Sequence, residues 1–196
     1  MNKKYLVIFI LVAIAVVLVF LISSRLYPIA VVQWQPIMYA DLDESYSAAL
    51  VYYQKAVLTY NTANADLMKS DEVKNEIRRA ALESSIEDIL VSDELDKKLG
   101  GSEAQAQVLR SVNTAISGTD IEKQTETLYG LSEKDFVSDF LVPQVRREIL
   151  TARLRLENQL PNDNFDQWLK NAKQKASVMI FLPGFEWKDG TVAVKK

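Results

Sequence analysis

Residues 5–22, YLVIFILVAIAVVLVFLI, run for 18 residues without a charge. As a helix rising 1.5 Å per residue, such a run spans about 27 Å, close to the thickness of a bilayer's hydrocarbon core. It is apolar on every helical face, which argues against a buried helix of a soluble domain. Lys3 and Lys4 precede the run and Arg25 follows it. The preceding pair predicts an N-terminus in the cytoplasm. A cleaved signal peptide is the competing reading. Its apolar region is usually about 7–15 residues, and Ser23-Ser24-Arg25-Leu26-Tyr27-Pro28 is a poor small-x-small site. The expected layout is a cytoplasmic tail over 1–4, a transmembrane anchor over 5–22, a linker over 23–30 and a domain over 31–196. The chain then meets the lipid bilayer through residues 5–22, crosses the cell membrane once, and carries its domain on the extracytoplasmic side.

That domain cannot be a typical nucleic-acid binder. The chain has 23 Lys and Arg against 26 Asp and Glu. Three of the bases lie within residues 1–25, which hold no acid, so the rest of the chain is markedly acidic. Binding to a phosphate backbone needs a concentrated basic surface instead. Cysteine and histidine are both absent, which removes disulfides, thiol nucleophiles, Cys-based zinc sites and the commonest general base and metal ligand. The 6 glycines are too scattered for a phosphate-cradling loop, and no Ser-x-x-Lys signature occurs. No cofactor is expected, and no enzyme activity is indicated.

The hydrophobic pattern predicts a mostly helical domain with two strand candidates. Ile29 to Gln33 is β-branched and reads as a strand, broken at Pro36 and extended again through Ile37 to Tyr39. Asp41 and Glu44 form a capping box for a helix to about Thr62. A second helix is expected from Ser70 to about Leu99, stopped at Gly100-Gly101. A third, capped by Ser102 and Gln105, should reach Ile116, and a short fourth runs from Thr119 to Gly130. Ser132 and Asp135 open a helix to about Asn158, which Pro143 should bend near Asp139 or divide. Asn162 or Asn164 caps the last helix. Ala176 to Leu182 is the second strand, and Phe185 to Val194 extends beyond a Pro183-Gly184 turn. A lone strand leaves its backbone groups unpaired, so the two candidates are expected to pair as a small two-stranded sheet joining the N- and C-terminal segments.

The first helix carries Leu42, Tyr46, Ala49, Leu50, Tyr53, Val57 and Tyr60 on one face at the helical period. This stripe reads either as core packing or as a groove that grips extended apolar polypeptide. Tyr46, Tyr53 and Tyr60, with Phe136 and Phe140 on a later helix, are the candidate polypeptide-binding residues. Trp34, Trp168 and Trp187 are expected to pack around the strand pair. Acids cluster at Asp41/Asp43/Glu44, Asp71/Glu72 and Asp93/Glu94/Asp96. The first two suit helix starts and the third a solvated face, although each pair of carboxylates is also the minimum for acid–base hydrolysis.

The order of elements resembles the start and end of SurA/PrsA-type exported foldases. The first strand running into Pro36-Ile37-x-Tyr39-x-Asp41-Leu42, the stretch Ala80 to Gly100, and Leu128-Tyr129-Gly130-Leu131-Ser132-Glu133-Lys134-Asp135-Phe136 continuing to Leu154 are similar to that family's N-terminal domain. Phe165-x-x-Trp168-Leu169, Ala172 to Ile180 and Pro183-Gly184 resemble the segment that returns after the family's isomerase domain. The likeness covers about residues 30–187. Gln33-Trp34-Gln35 stands where relatives carry an Asn-Gly turn. The parvulin isomerase domain itself has no counterpart, because only Leu160 to Asn164 separate the flanking segments. The resemblance implies a SurA N-domain-like body that binds unfolded or newly exported polypeptides without prolyl isomerase activity. The alternative is a non-catalytic envelope scaffold or assembly subunit bound to one specific protein partner.

Overall fold

The computed structural model describes residues 25–60, 69–160 and 164–195, with Val12 alone ahead of them. The expected anchor over 5–22 lies outside the described residues apart from Val12. Among the described residues no helix is long and apolar enough to cross a membrane. The domain is mostly helical with small antiparallel sheets, in the order β1 (Pro28–Val32), β2 (Gln35–Met38), α1 (Tyr39–Tyr60), α2 (Asp71–Leu99), α3 (Gly101–Ile116), α4 (Glu122–Tyr129), α5 (Glu133–Phe136), a π-helical turn (Val137–Leu141), α6 (Val142–Leu156), α7 (Phe165–Lys175), β3 (Val178–Ile180), β4 (Phe185–Lys188) and β5 (Thr191–Val194).

The terminal strands do pair, with Val31 opposite Met179. The sheet has three strands rather than two, in the order β2-β1-β3, and β4 and β5 form a separate hairpin. Pro36 does not break the extension, because it sits on the edge strand β2, where a missing N–H costs no ladder bond. β1 begins at Pro28, ahead of the domain start expected at 31. The turn between β1 and β2 is two residues, Gln33 and Trp34, with φ of 47° and 75°. Both are left-handed, as a two-residue hairpin of this twist requires, yet neither is glycine or asparagine. Trp34 is 90% exposed at the tip, which overturns the expectation that it packs around the strands. The β4–β5 turn uses the more usual Asp189 and Gly190, at 53° and 79°.

Several helix ends differ from expectation. α1 starts at Tyr39, so Asp41 lies in its first turn rather than at the cap. Gly100 is both the end of α2 and the N-cap of α3, which leaves Ser102 inside the helix. α4 starts after Ile121, not at Thr119. Ser70 and Asn164 cap as expected, each accepting a backbone N–H with its side chain. Pro143 divides its helix as anticipated. Proline lacks the N–H that would reach four residues back, and its ring crowds that carbonyl. The chain widens into the π turn instead, and the Val142 N–H reaches the Val137 carbonyl.

α2 is the spine. Leu82, Ile86 and Leu90 pack into one core with Ile29, Ala30, Val32 and Ile37 of the first hairpin, Leu42 of α1, and Phe185 and Val192 of the second hairpin. Val91 and Leu95 enter another core with Ala104, Val108 and Val112 of α3, Leu150 and Leu154 of α6, and Leu169 of α7. Trp187 packs on the first core and Trp168 on the second. Charge pairs hold the other helices to α2. Lys173 reaches Glu83 and Glu87 at 2.7 Å each. Burial works against its charge, but the two carboxylates outweigh that and raise its pKa. Arg146 reaches Asp88 Oδ2 at 2.8 Å, while Asp88 Oδ1 is buried without a hydrogen-bond partner among the described residues.

Two stability predictions follow from this packing. Arg146→Leu strands the largely buried Asp88 and should cost about 1–2 kcal/mol in urea unfolding, with part of the loss recovered by adding Asp88→Asn. An unchanged midpoint would show that the pair contributes nothing. Replacing Gln33-Trp34 by Asn and Gly should relieve the left-handed turn and stabilise the fold by about 1 kcal/mol. A loss of stability would mean that the exposed indole has a packing partner.

Candidate functional site

Between α1, α2 and the α5–α6 segment runs a cleft of about 930 Å³. Its floor is the face of α2 from Val73 to Val91. That face is about 27 Å long at 1.5 Å per residue, which matches an extended segment of roughly eight residues. The middle of the floor is made of small side chains, Ala80, Ala81, Ser84 and Ser85, between larger residues at either end. Larger side chains at those four positions would fill the trough. Gln35, Pro36 and Ile37 line the cleft from β2, while Tyr53 and Phe140 line it from α1 and the π turn.

Tyr53 and Phe140 belong to a continuous set of rings. Tyr52 stacks on Tyr129 at 5.2 Å with the planes 8° apart, and meets Tyr53 edge-on at 5.8 Å. Tyr129 contacts Phe136 and Phe140 at 5.2 and 5.4 Å, and those two stack at 5.6 Å. None of these rings belongs to either buried core. Tyr52 is 41% and Tyr53 50% exposed. The second half of α1 therefore does not use its tyrosines as core, and the stripe is open surface there. α4 docks against this half: Gly130, left-handed at φ 73°, turns the chain beside Val51 and brings Tyr129 back over Phe136.

Of the five residues expected to bind polypeptide, the structure brings Tyr53, Phe136 and Phe140 into one aromatic set. Tyr46 stands apart from that set, with the Arg78 guanidinium 4.7 Å from its ring centroid. The side chain of Tyr60 lies outside the described residues. Sequence reasoning missed Tyr52 and Tyr129, the two rings that join the others. Tyr52 falls one position off the helical stripe, and Tyr129 ends a short polar helix. The legible signal was the glycine after Tyr129, which marks a sharp return of the chain toward Phe136.

The cleft wall is acidic. Asp41 and Glu44 in the first part of α1 and Asp139 in the π turn line it, and no Lys or Arg pairs with any of them among the described residues. Their neighbours Glu76, Glu87 and Asp88 all have arginine or lysine partners. The Glu44 carboxyl is pushed above its ordinary range by partial desolvation and then by Asp139, Asp135 and Asp41. Asp139 is raised by burial first, against a hydrogen bond from Ser138, and further by Asp135 and Asp41. The other acid clusters are differently occupied: Asp43 pairs with Arg25, Asp93 accepts from Gln35, and Glu94 pairs with Lys97 and Lys98. Among the described residues no group of three or more acids is arranged to hold a metal ion.

No protein-family model, curated protein or solved structure matches the chain.

A raised carboxyl pKa in the fold means that the fold favours the protonated form. Such a group adds stability at acidic pH and loses it as pH rises through the folded pKa. Asp139→Asn and Glu44→Gln should therefore raise the thermal midpoint at pH 7 by about 1–3 °C each. The advantage over the parent should shrink as pH falls through the carboxylate range. Thermal melts followed by circular dichroism at pH 7 and pH 4.5 check this, and a lower midpoint for Asp139→Asn at pH 7 would refute it.

Proposed function

We propose that this chain is a membrane-anchored, extracytoplasmic chaperone-like protein that holds unfolded or newly exported polypeptide in the cleft over α2, without isomerase chemistry. The observation that carries the reading is the partly exposed set of Tyr52, Tyr53, Tyr129, Phe136 and Phe140, two of whose members line a long cleft along α2. Rings that remain partly exposed outside the cores offer contact area that tolerates varied apolar side chains. A trough along a helix accepts an extended chain more readily than a compact metabolite. The uncharged run over 5–22 supports the anchor. An anchor keeps the cleft at high effective concentration near chains emerging at the same membrane.

The pairing of β1 with β3 is in keeping with the SurA N-domain-like arrangement inferred from sequence, in which the end of the chain folds back on its beginning. The reading rests on the cleft and its rings rather than on that likeness.

The test is suppression of aggregation. The full chain in lipid nanodiscs is mixed with a chemically unfolded envelope protein, and light scattering is followed. Near-stoichiometric chain should slow aggregation severalfold. Tyr52→Ser with Tyr53→Ser should remove most of the effect without unfolding the domain, since both rings are substantially exposed. Ser84→Leu, which fills the floor, should act in the same direction. Full-length chain that leaves aggregation unchanged at severalfold excess would overturn the reading in favour of a scaffold with one specific partner.

A further inference from the structure

The cleft lining carries two kinds of group, rings and acids, both drawn from α1 and the π turn, and this combination narrows what it takes. One part offers rings, with Tyr53 and Phe140 facing the trough. Another offers Asp41, Glu44 and Asp139, contributed by two separate elements and left without a cation among the described residues. On the adjoining part of α2, Glu83 and Glu87 share Lys173, Glu76 pairs with Arg79, and Asp88 with Arg146. A solvated acidic edge alone would mean little. Here the acids without a cation line the same trough as the rings, and the one basic side chain of the lining, Arg147, is paired with Glu87.

We propose, resting on the polypeptide-binding reading above, that the cleft selects extended segments in which an aromatic or bulky apolar residue lies close in sequence to lysine or arginine. The apolar residue seats against Tyr53 and Phe140. The cation meets Glu44 and Asp139. Charge complementarity favours this occupant over a neutral apolar segment and disfavours acidic ones. It also disfavours a second copy of this chain, whose own surface is acidic in balance.

Three fluorescein-labelled peptides of about ten residues test this. They share one aromatic-apolar half and differ in carrying two lysines, two glutamines or two glutamates. Binding to the full chain in phosphatidylcholine nanodiscs, which carry no net lipid charge, is followed by fluorescence anisotropy. At low salt the lysine peptide should bind about tenfold tighter than the glutamine peptide and the glutamate peptide weakest, with the spread shrinking as salt is added. Glu44→Gln with Asp139→Asn should abolish the spread between the three peptides. Ser84→Leu should weaken all three. A circular dichroism melt of each variant separates loss of preference from loss of fold.

Equal binding of lysine and glutamine peptides, or a preference that survives the double variant, overturns the selectivity and leaves polypeptide binding standing. Failure of every peptide to bind overturns both. Sedimentation showing a dimer broken by Ser84→Leu would assign the cleft to a second copy and overturn the proposal.

Discussion

Everything in this fold depends on α2 being shared. One helix of 29 residues supplies Leu82, Ile86 and Leu90 to the core beneath the sheet and Val91 and Leu95 to the core among the later helices. Neither core has its own complete set of walls without it. Burying one helix in two places constrains the rest of its surface. The faces not buried must be held by charge pairs or left open, and the protein does both. Lys173, Arg146 and Arg79 bind α7, α6 and α2's own turns to its acids. The stretch lined by Ala80 and Ser84 is left uncovered as the cleft floor.

The two walls of that cleft are kept apart by different devices. α1 leaves the sheet directly, since β2 ends at Met38 and the helix starts at Tyr39, so its direction is set by the hairpin. The other wall is displaced by Pro143. Forcing a five-residue backbone bond at Val142 adds one residue to a helical turn and changes which side chains face α2 afterwards. Phe136 and Phe140 still stack across this turn, while Val145, Leu150 and Leu154 beyond it enter the core. Both stretches serve the cleft and the core, with Phe140, Pro143 and Arg147 lining the trough and Val137, Leu141 and Val145 packing on the second core.

Much of this was legible from residue pattern, and the misses have physical causes. Glycine and capping residues located most helix ends, because a left-handed glycine such as Gly130 and a side-chain cap such as Ser70 are local chemistry. The pairing of the terminal strands was legible because unpaired backbone is costly. The third strand was not, since Pro36 argues against a strand until its edge position is known. The tyrosine stripe of α1 illustrates the limit of periodicity. A helical period shows which residues share a face, but only the tertiary arrangement shows that the face outruns its partner. Leu42 is buried, while Tyr53, eleven positions on, is half exposed. Tyr129 was invisible as a site residue because it joins the others through a turn, not through a period.

The costs in this structure are unevenly distributed, and their distribution is informative. Asp41 and Glu44 of α1 and Asp139 of the π turn line one cleft without a cation partner among the described residues, and Glu44 and Asp139 are both held toward their neutral forms. Trp34 is presented to solvent on a left-handed turn that glycine would make more easily, immediately before Gln35 and Pro36 of the cleft lining. Tyr52 and Tyr53 keep apolar area in water. Where α2 meets α6 and α7, by contrast, Asp88, Glu83 and Glu87 each have a cation partner. A fold selected only for its own stability would have no reason to concentrate its unfavourable choices around one trough, because each is removable by a single substitution. Their concentration is the physical reason for placing the proposed binding activity in the cleft over α2, and not on the charge-paired surface that α2 presents to α7.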